Sequence, residues 1–243
     1  MRIPIGPHRN PRRSSPDPMV DSELGPIPEG WEVTTTGDLC DLNGGTIRTG
    51  PFGSQLHKSD YVDAGIPVVM PKDITSNGIS TKSIAQIDDE TVQRLSQHRL
   101  EEYDIVYGRR GDIGRCALIR GSQIGWLCGT GCIRMSTGIS GLHPCLLFFH
   151  LRRSTVIKWI QNQAVGATMP NLNTAILRSI RVLLAPYELQ TAAIDQIFPL
   201  LKLMDQSEKR TELAQNTRDL LLPRLVSGQL DVSEFDEQLQ EVS

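Results

Sequence analysis

The sequence predicts an α+β protein: one mixed α/β domain followed by a long C-terminal helix that forms a coiled coil. Two contrasts carry this prediction. From Pro186 to Pro223 the chain has helical composition and almost no turn residues, whereas the preceding stretch is cut by glycine, proline and asparagine into short apolar segments. An apolar fraction of 39% in 243 residues is also enough to fill a real core. The expected boundaries are a flexible Pro/Arg-rich arm over 1–23, the domain over 24–184, a spacer and dimerisation helix over 185–226, and a tail over 227–243.

The C-terminal helix sets the architecture. Leu189, Ala193, Ile197, Leu200, Met204, Ser207, Thr211, Ala214, Arg218 and Leu221 recur at steps of three and four, with charges such as Glu188, Asp195, Lys202, Asp205 and Glu208 between them. So thin an apolar stripe cannot be the buried face of a compact domain, and it calls for a partner helix. Leu189, Ala193, Ile197, Leu200, Met204 and Leu221 are the expected partner-helix contacts. At about 1.5 Å per residue the segment would span roughly 50 Å. Pro199 removes a backbone donor and predicts a kink or short break.

Met1 to Pro28 carries seven prolines among arginines and serines and is expected to be flexible, with Arg9, Arg12 and Arg13 able to touch phosphate and Met19 an alternative start. Order begins at Trp31. Thr34 to Leu42 reads as a strand or short helix, and the Gly50-Pro51-Phe52-Gly53-Ser54 loop follows, with Lys58 just beyond. No glycine precedes Lys58 with phosphate-loop spacing. Gly65 to Pro71 reads as a buried strand, Asn77-Gly78 as a turn, and Asp88 to His98 as a helix. Trp126 to Met135 is expected to be strand and Leu146 to Gln163 one amphipathic helix.

Between these lies Asp104 to Arg115, a strand running into Arg109-Arg110-Gly111-Asp112-Ile113-Gly114-Arg115, three arginines in seven residues, and then the strand Cys116 to Ile119. Guanidinium forks suit guanine edges and phosphates. The bland alternative is a solvated hairpin in which Asp112 pairs locally with an arginine. Gly166 to Asn173 is expected to be a structured loop that shows Thr168, Asn171 and Asn173. Asparagine amides can read adenine, but they also cap helices, and the capping role is the expected one here.

Net charge is −3 with an isoelectric point near 6.0, which excludes a global basic field, so any nucleic-acid contact must be a local patch. The five cysteines are odd in number and lie in apolar surroundings, which points to a reducing cytoplasm, and no apolar run approaches the roughly 20 residues of a membrane span. Cys128, Cys132, His143 and His150 could be taken for zinc ligands, but their spacing and apolar setting favour core packing. No cofactor fingerprint of the dinucleotide type, no His-Glu-x-x-His and no Gly-x-Ser-x-Gly elbow occurs, so neither catalytic nor metal residues are assigned.

Five segments in order carry a resemblance: Leu24-Gly25-Pro26-Ile27-Pro28-Glu29-Gly30-Trp31-Glu32-Val33, Gly50-Pro51-Phe52-Gly53-Ser54 with Gly65-Ile66-Pro67, Gly111-Asp112-Ile113-Gly114, Gly166-x-Thr168-Met169-Pro170-x-Leu172-Asn173, and Leu222-Pro223-Arg224-Leu225-x-Ser227-Gly228-x-Leu230. Together they resemble the specificity subunit of type I restriction-modification systems, in a half-length form. The resemblance implies that 24–184 is a target recognition domain reading one half of a split site in double-stranded DNA, and that the long helix is a spacer. It implies a non-catalytic chain that docks methyltransferase and restriction subunits, with S-adenosylmethionine, ATP and Mg2+ held by those partners and none by this chain. Family members carry two such domains and two antiparallel helices, so this chain is expected to pair with a second copy or with another half-specificity subunit. For DNA contact the expected residues are Lys58, Lys72, Arg109, Arg110 and Arg115, then Thr168 and Asn171. Two other readings stand beside this one. One is a recognition domain split from a fused restriction-methylation enzyme. The other is a coiled-coil interaction protein that binds restriction-modification subunits without reading DNA.

Overall fold

The strand Ile105–Gly108 is buried along its whole length, and it lies inside a four-stranded antiparallel sheet with a partner strand on each side. The structure, a computed structural model, describes residues 18–138, 141–164 and 171–229. Ile105–Gly108 pairs on one side with Cys116–Leu118 (Tyr107 opposite Cys116) and on the other with Cys132–Ser136 (Tyr107 opposite Ile133), which in turn pairs with Thr46–Thr49. A second four-stranded sheet holds Ile66–Val69 between Leu127–Cys128, parallel to it, and Ala85–Ile87, antiparallel, with Tyr61–Val62 at the far edge. The β-branched and aliphatic residues of these strands make the core. Val69, Ile74, Leu100, Val106, Ala117, Ile119, Cys128 and Cys132 form one cluster. Leu56, Val68, Ile87, Val92, Leu95 and Leu127 form another.

Local signals account for the smaller elements. Thr35 caps the helix Thr36–Leu42 by accepting from the Asp38 amide, and the Asp38 carboxylate accepts from Thr35 in return, a reciprocal capping box. Asp88 caps Asp89–Arg94 through the Thr91 amide at 2.8 Å. Asn77-Gly78 turns the hairpin that joins Ile74–Thr75 to Gly78–Ile79. Glu32–Thr35 pairs antiparallel with Arg181–Leu184, so a strand near the start of the domain closes on its last strand.

The predicted class therefore holds, with corrections. The domain is mixed strand and helix, and a continuous 40-residue helix, Tyr187–Val226, follows it. The break expected at Pro199 is absent, because the helix runs through both Pro199 and Pro223 and its other hydrogen bonds tolerate the two missing donors. Of the arm expected to be flexible, residues 1–17 lie outside the described residues, and the described part is structured: Met19–Val20 pairs with Ile27–Pro28, and Ile27 is buried. Leu146 to Gln163 is two helices, Pro144–Leu151 and Ser154–Gln163, parted at Arg152-Arg153. Trp126 to Met135 is two strands, one in each sheet, parted at Gly129-Thr130-Gly131. A Cβ on Gly129 would lie 2.7 Å from the Val69 carbonyl, so the crossing between sheets needs that glycine.

The chain divides into two compact units, residues 1–192 and 193–243. In the first, the Gln190 amide donates to the Gly141 and Ala185 carbonyls at 2.8 Å each, fixing the first turns of the long helix. Among the described residues no helix is long and apolar enough to cross a membrane.

His98, His143 and His150 all have pKa values below the usual 6.5, chiefly because burial disfavours the imidazolium. His150 Nε2 lies 2.9 Å from the Arg181 carbonyl and so donates to it as the neutral tautomer. Above about pH 6.5 these groups are neutral folded or unfolded; below it the unfolded chain gains protons that the fold refuses, so stability falls as pH falls. The urea midpoint should be lower at about pH 5.5 than at about pH 7.5, and the drop should shrink in His150→Gln.

Candidate nucleic-acid interface

The arginine loop is the connection between Ile105–Gly108 and Cys116–Leu118, and it is held from several sides. The Arg109 amide donates to the Gly131 carbonyl at 2.8 Å, continuing the sheet ladder one residue past the strand. Ile113 is buried, and its carbonyl accepts from Gln161 Nε2 at 3.1 Å, so the helix Ser154–Gln163 ties the loop from behind. Gly114, at φ 105°, comes so close to that helix that a Cβ would sit 2.9 Å from Ile157 Cγ2. These restraints leave Arg110, Gly111, Asp112 and Arg115 exposed.

The expected DNA-contacting residues then separate. Arg110 is exposed and makes no ion pair among the described residues. Arg115 is exposed but ion-paired with Asp112, so for this arginine the local-pairing alternative is realised. Arg109 is half-buried, and its Nε donates to the Leu172 carbonyl at 3.1 Å. Asn171 is exposed, next to the fully buried Leu172. Asn173 caps the helix Thr174–Arg178, accepting from the Ile176 amide at 2.8 Å, which is the expected structural role. Thr168 lies outside the described residues. Lys72 is exposed on the turn Pro71–Asp73, with Nζ donating to the Ser83 carbonyl at 3.1 Å. Pro71 of that turn packs against Gly108 and Gly131 at the foot of the arginine loop. Lys58 stands apart on the turn Lys58–Asp60, whose Asp60 is held by Arg94 at 3.0 Å. Arg109, Arg110, Arg115 and Asn171 are thus brought into one region with Lys72 beside it, and Lys58 is on another turn.

Arg152 is the residue that the sequence reading missed. A recess of about 260 Å³ beside the loop is lined by Ser76, Asp112, Gly114, Arg115, Cys116 and Arg152. Arg152 Nη2 donates to the Ser76 carbonyl at 2.5 Å while its guanidinium stacks 5.2 Å from the Phe148 ring centroid. It falls inside the stretch Leu146 to Gln163, expected as one helix, and at the point where that stretch breaks in two. The Ser154-Thr155 pair after it was the available signal of a new helix start.

Burial pushes the Cys116 thiol at the recess up to about 12 and Cys128 likewise to about 12, so neither is a thiolate near neutral pH. Cys132 Sγ donates to the Val69 carbonyl, and His143 Nδ1 accepts from the Cys145 amide at 3.2 Å. Cys132, His143 and His150 thus have hydrogen-bond partners in the fold, and Cys128 packs in the buried cluster with Val69 and Val106. Among the described residues no group of three or more histidine, cysteine, aspartate or glutamate side chains is placed to hold a metal ion.

Residues 28–215 match the family model of the type I restriction modification DNA specificity domain, and the chain belongs to that family. The type I restriction enzyme MjaIX specificity subunit of Methanocaldococcus jannaschii is 21% identical over 209 residues, covering 86% of this chain and 46% of the relative. The MjaVIII specificity subunit of the same organism is 19% identical over 219 residues, covering 88% of this chain and 50% of the relative. Among solved structures, the S subunit of a type I restriction-modification system from M. genitalium shares the fold, with a TM-score of 0.56 at 18% identity over 81% of this chain and 46% of that one. The chain spans about half the length of the relatives it matches.

The Gly50 loop shows how tightly the interface is seated on the sheet. Gly50 donates to the Cys132 carbonyl at 2.9 Å, and a Cβ on it would overlap the Gly129 carbonyl. Gly50→Ala should destabilise the domain by about 1–3 kcal/mol in urea unfolding, as overpacking does.

Proposed function

We propose that this chain is a non-catalytic specificity component of a type I restriction-modification complex, reading one half of a bipartite site in double-stranded DNA. The observation that carries the reading is the rigidly seated arginine loop with Arg110 projecting from it. A guanidinium on a fixed backbone can pair bidentately with the O6 and N7 of a guanine, and Lys72, Arg115 and Asn171 lie close enough in the fold to add phosphate or base contacts. Phosphate contacts would set register and base contacts would specify sequence. The methyltransferase and restriction subunits that this component docks would bring S-adenosylmethionine, ATP and Mg2+.

The long helix supports the second part of the proposal, that it pairs with another helix of its kind, from a second copy or from another half-specificity subunit. Leu189, Leu200, Leu203 and Met204 are 51%, 60%, 60% and 47% exposed, and Leu213 and Leu220 are 67% and 59% exposed. Ala193, Ile197 and Leu221 of the predicted stripe are half-buried, and the buried apolar residues of the helix, Ile194 and Leu201, fall outside it. Thr211 in the stripe donates to the Ser207 carbonyl at 2.9 Å, so its hydroxyl can face an apolar partner without an unmet donor. A seam of this kind with polar interruptions suits a register-specific pair. With two-fold symmetry, two copies would read inverted half-sites at a fixed spacing.

Two measurements test these parts. Selection from a randomised duplex library by the complex with a methyltransferase subunit should enrich a motif, and Arg110→Ala should weaken binding to it by about 1–3 kcal/mol. No enrichment would instead favour a protein-binding role without DNA reading. Size-exclusion chromatography with light scattering should give a pair that Leu200→Glu with Met204→Glu splits. A monomer both alone and with the methyltransferase would remove the symmetric version.

A further inference from the structure

Arg109 differs from the other arginines of its loop in that all of its backbone and part of its side chain are already committed. Its amide donates to the Gly131 carbonyl, its carbonyl accepts from the Leu172 amide at 3.0 Å, and its Nε donates back to the Leu172 carbonyl at 3.1 Å. Leu172 is fully buried, and Asn173 immediately after it is held as a helix cap. The segment Asn171–Asn173 is therefore pinned to the loop by a two-way pair of hydrogen bonds, one of which uses an arginine side chain. Arg110 on one side of that junction and Asn171 on the other are exposed, with no hydrogen bond of their side chains to the fold among the described residues, whereas Asn173, also exposed, is occupied as the cap.

We infer that Arg109 is a positioning residue: it locks the Asn171–Asn173 segment onto the arginine loop so that Arg110 and Asn171 are presented to DNA as one surface. This rests on the DNA-reading proposal for the use of the surface, but not for the lock itself. Lysine cannot replace it. The guanidinium offers Nε partway along the side chain in a planar fork, whereas lysine offers a single terminal ammonium on a flexible stem. A charge-conserving substitution therefore separates the two roles open to Arg109.

The test compares Arg109→Lys and Arg109→Ala with the wild-type chain by amide hydrogen exchange and, in complex with a methyltransferase subunit, by DNA affinity as a function of salt on the duplex enriched by selection. In both variants the Leu172 and Ile176 amides should exchange severalfold faster while those of Ile105–Gly108 stay protected, which serves as the folding control. Affinity should fall about tenfold in both, the effect of one lost charge-assisted hydrogen bond, with the slope of log affinity against log salt unchanged. Unchanged exchange at Leu172 and Ile176 in both variants would overturn the inference. So would full affinity in Arg109→Lys beside a loss in Arg109→Ala whose salt slope drops by about 0.9, the signature of a direct phosphate contact. The exchange measurement contains no DNA. If the wild-type complex selects no motif, the DNA-reading proposal fails, and exchange alone still decides whether Arg109 is the lock.

Discussion

The buried strand Ile105–Gly108 starts from a buried ion pair, in which Arg134 Nε lies 2.6 Å from the Asp104 carboxylate. Asp104 is 1% exposed on its side chain, and the Glu101 amide also donates to it at 2.7 Å. Burial is the largest influence on this carboxyl and raises its pKa, although the Glu101 amide and Arg134 pull the other way. A buried charge of this kind costs several kcal/mol if its partner is removed, so the pair favours the register that keeps Asp104 beside Arg134. The register that follows, with Val106 opposite Arg134 and Tyr107 opposite Ile133, determines where the strand runs out of partners. It runs out after Arg109, whose amide still donates to the Gly131 carbonyl, and the exposed part of the arginine loop begins there.

Seen from that strand, the proposed DNA-facing surface is the consequence of a packing problem. A loop carrying three arginines would ordinarily be mobile and solvated. Here Ile113 is buried, Gly114 lies against Ile157, Gln161 holds the Ile113 carbonyl, and Leu172 is bonded in both directions to Arg109. Each contact removes freedom from the backbone without using the exposed head of Arg110. Preorganisation of this sort lowers the entropy cost of recognition and is what a reader of base edges needs.

The sequence made the long helix legible because its period is sustained over many turns, and the observed Tyr187–Val226 begins two residues after the expected start at 185 and ends where expected, at 226. It also located the arginine loop, whose glycines and flanking β-branched residues have no other economical reading. It could not show that Leu127–Cys128 and Cys132–Ser136 belong to different sheets, because strand partners are set by contacts distant in the chain. Nor could it distinguish Arg109 from Arg110. The two are neighbours of one type, and only the position of Leu172, 63 residues away, makes one a tether and leaves the other exposed. The helix break at Arg152-Arg153 was hidden by apolar residues on both sides that keep nearly the same period.

The central claim, that the exposed surface of this domain is read out as a DNA sequence, is tested most directly by single-molecule sequencing of methylated bases in a host expressing the chain with a matching methyltransferase subunit. The account predicts a bipartite methylated motif that is present only when the chain is expressed. The motif should be palindromic if two copies pair and asymmetric if the partner is a different half. Methylation at no defined motif, with the methyltransferase active and bound to the chain, would contradict it.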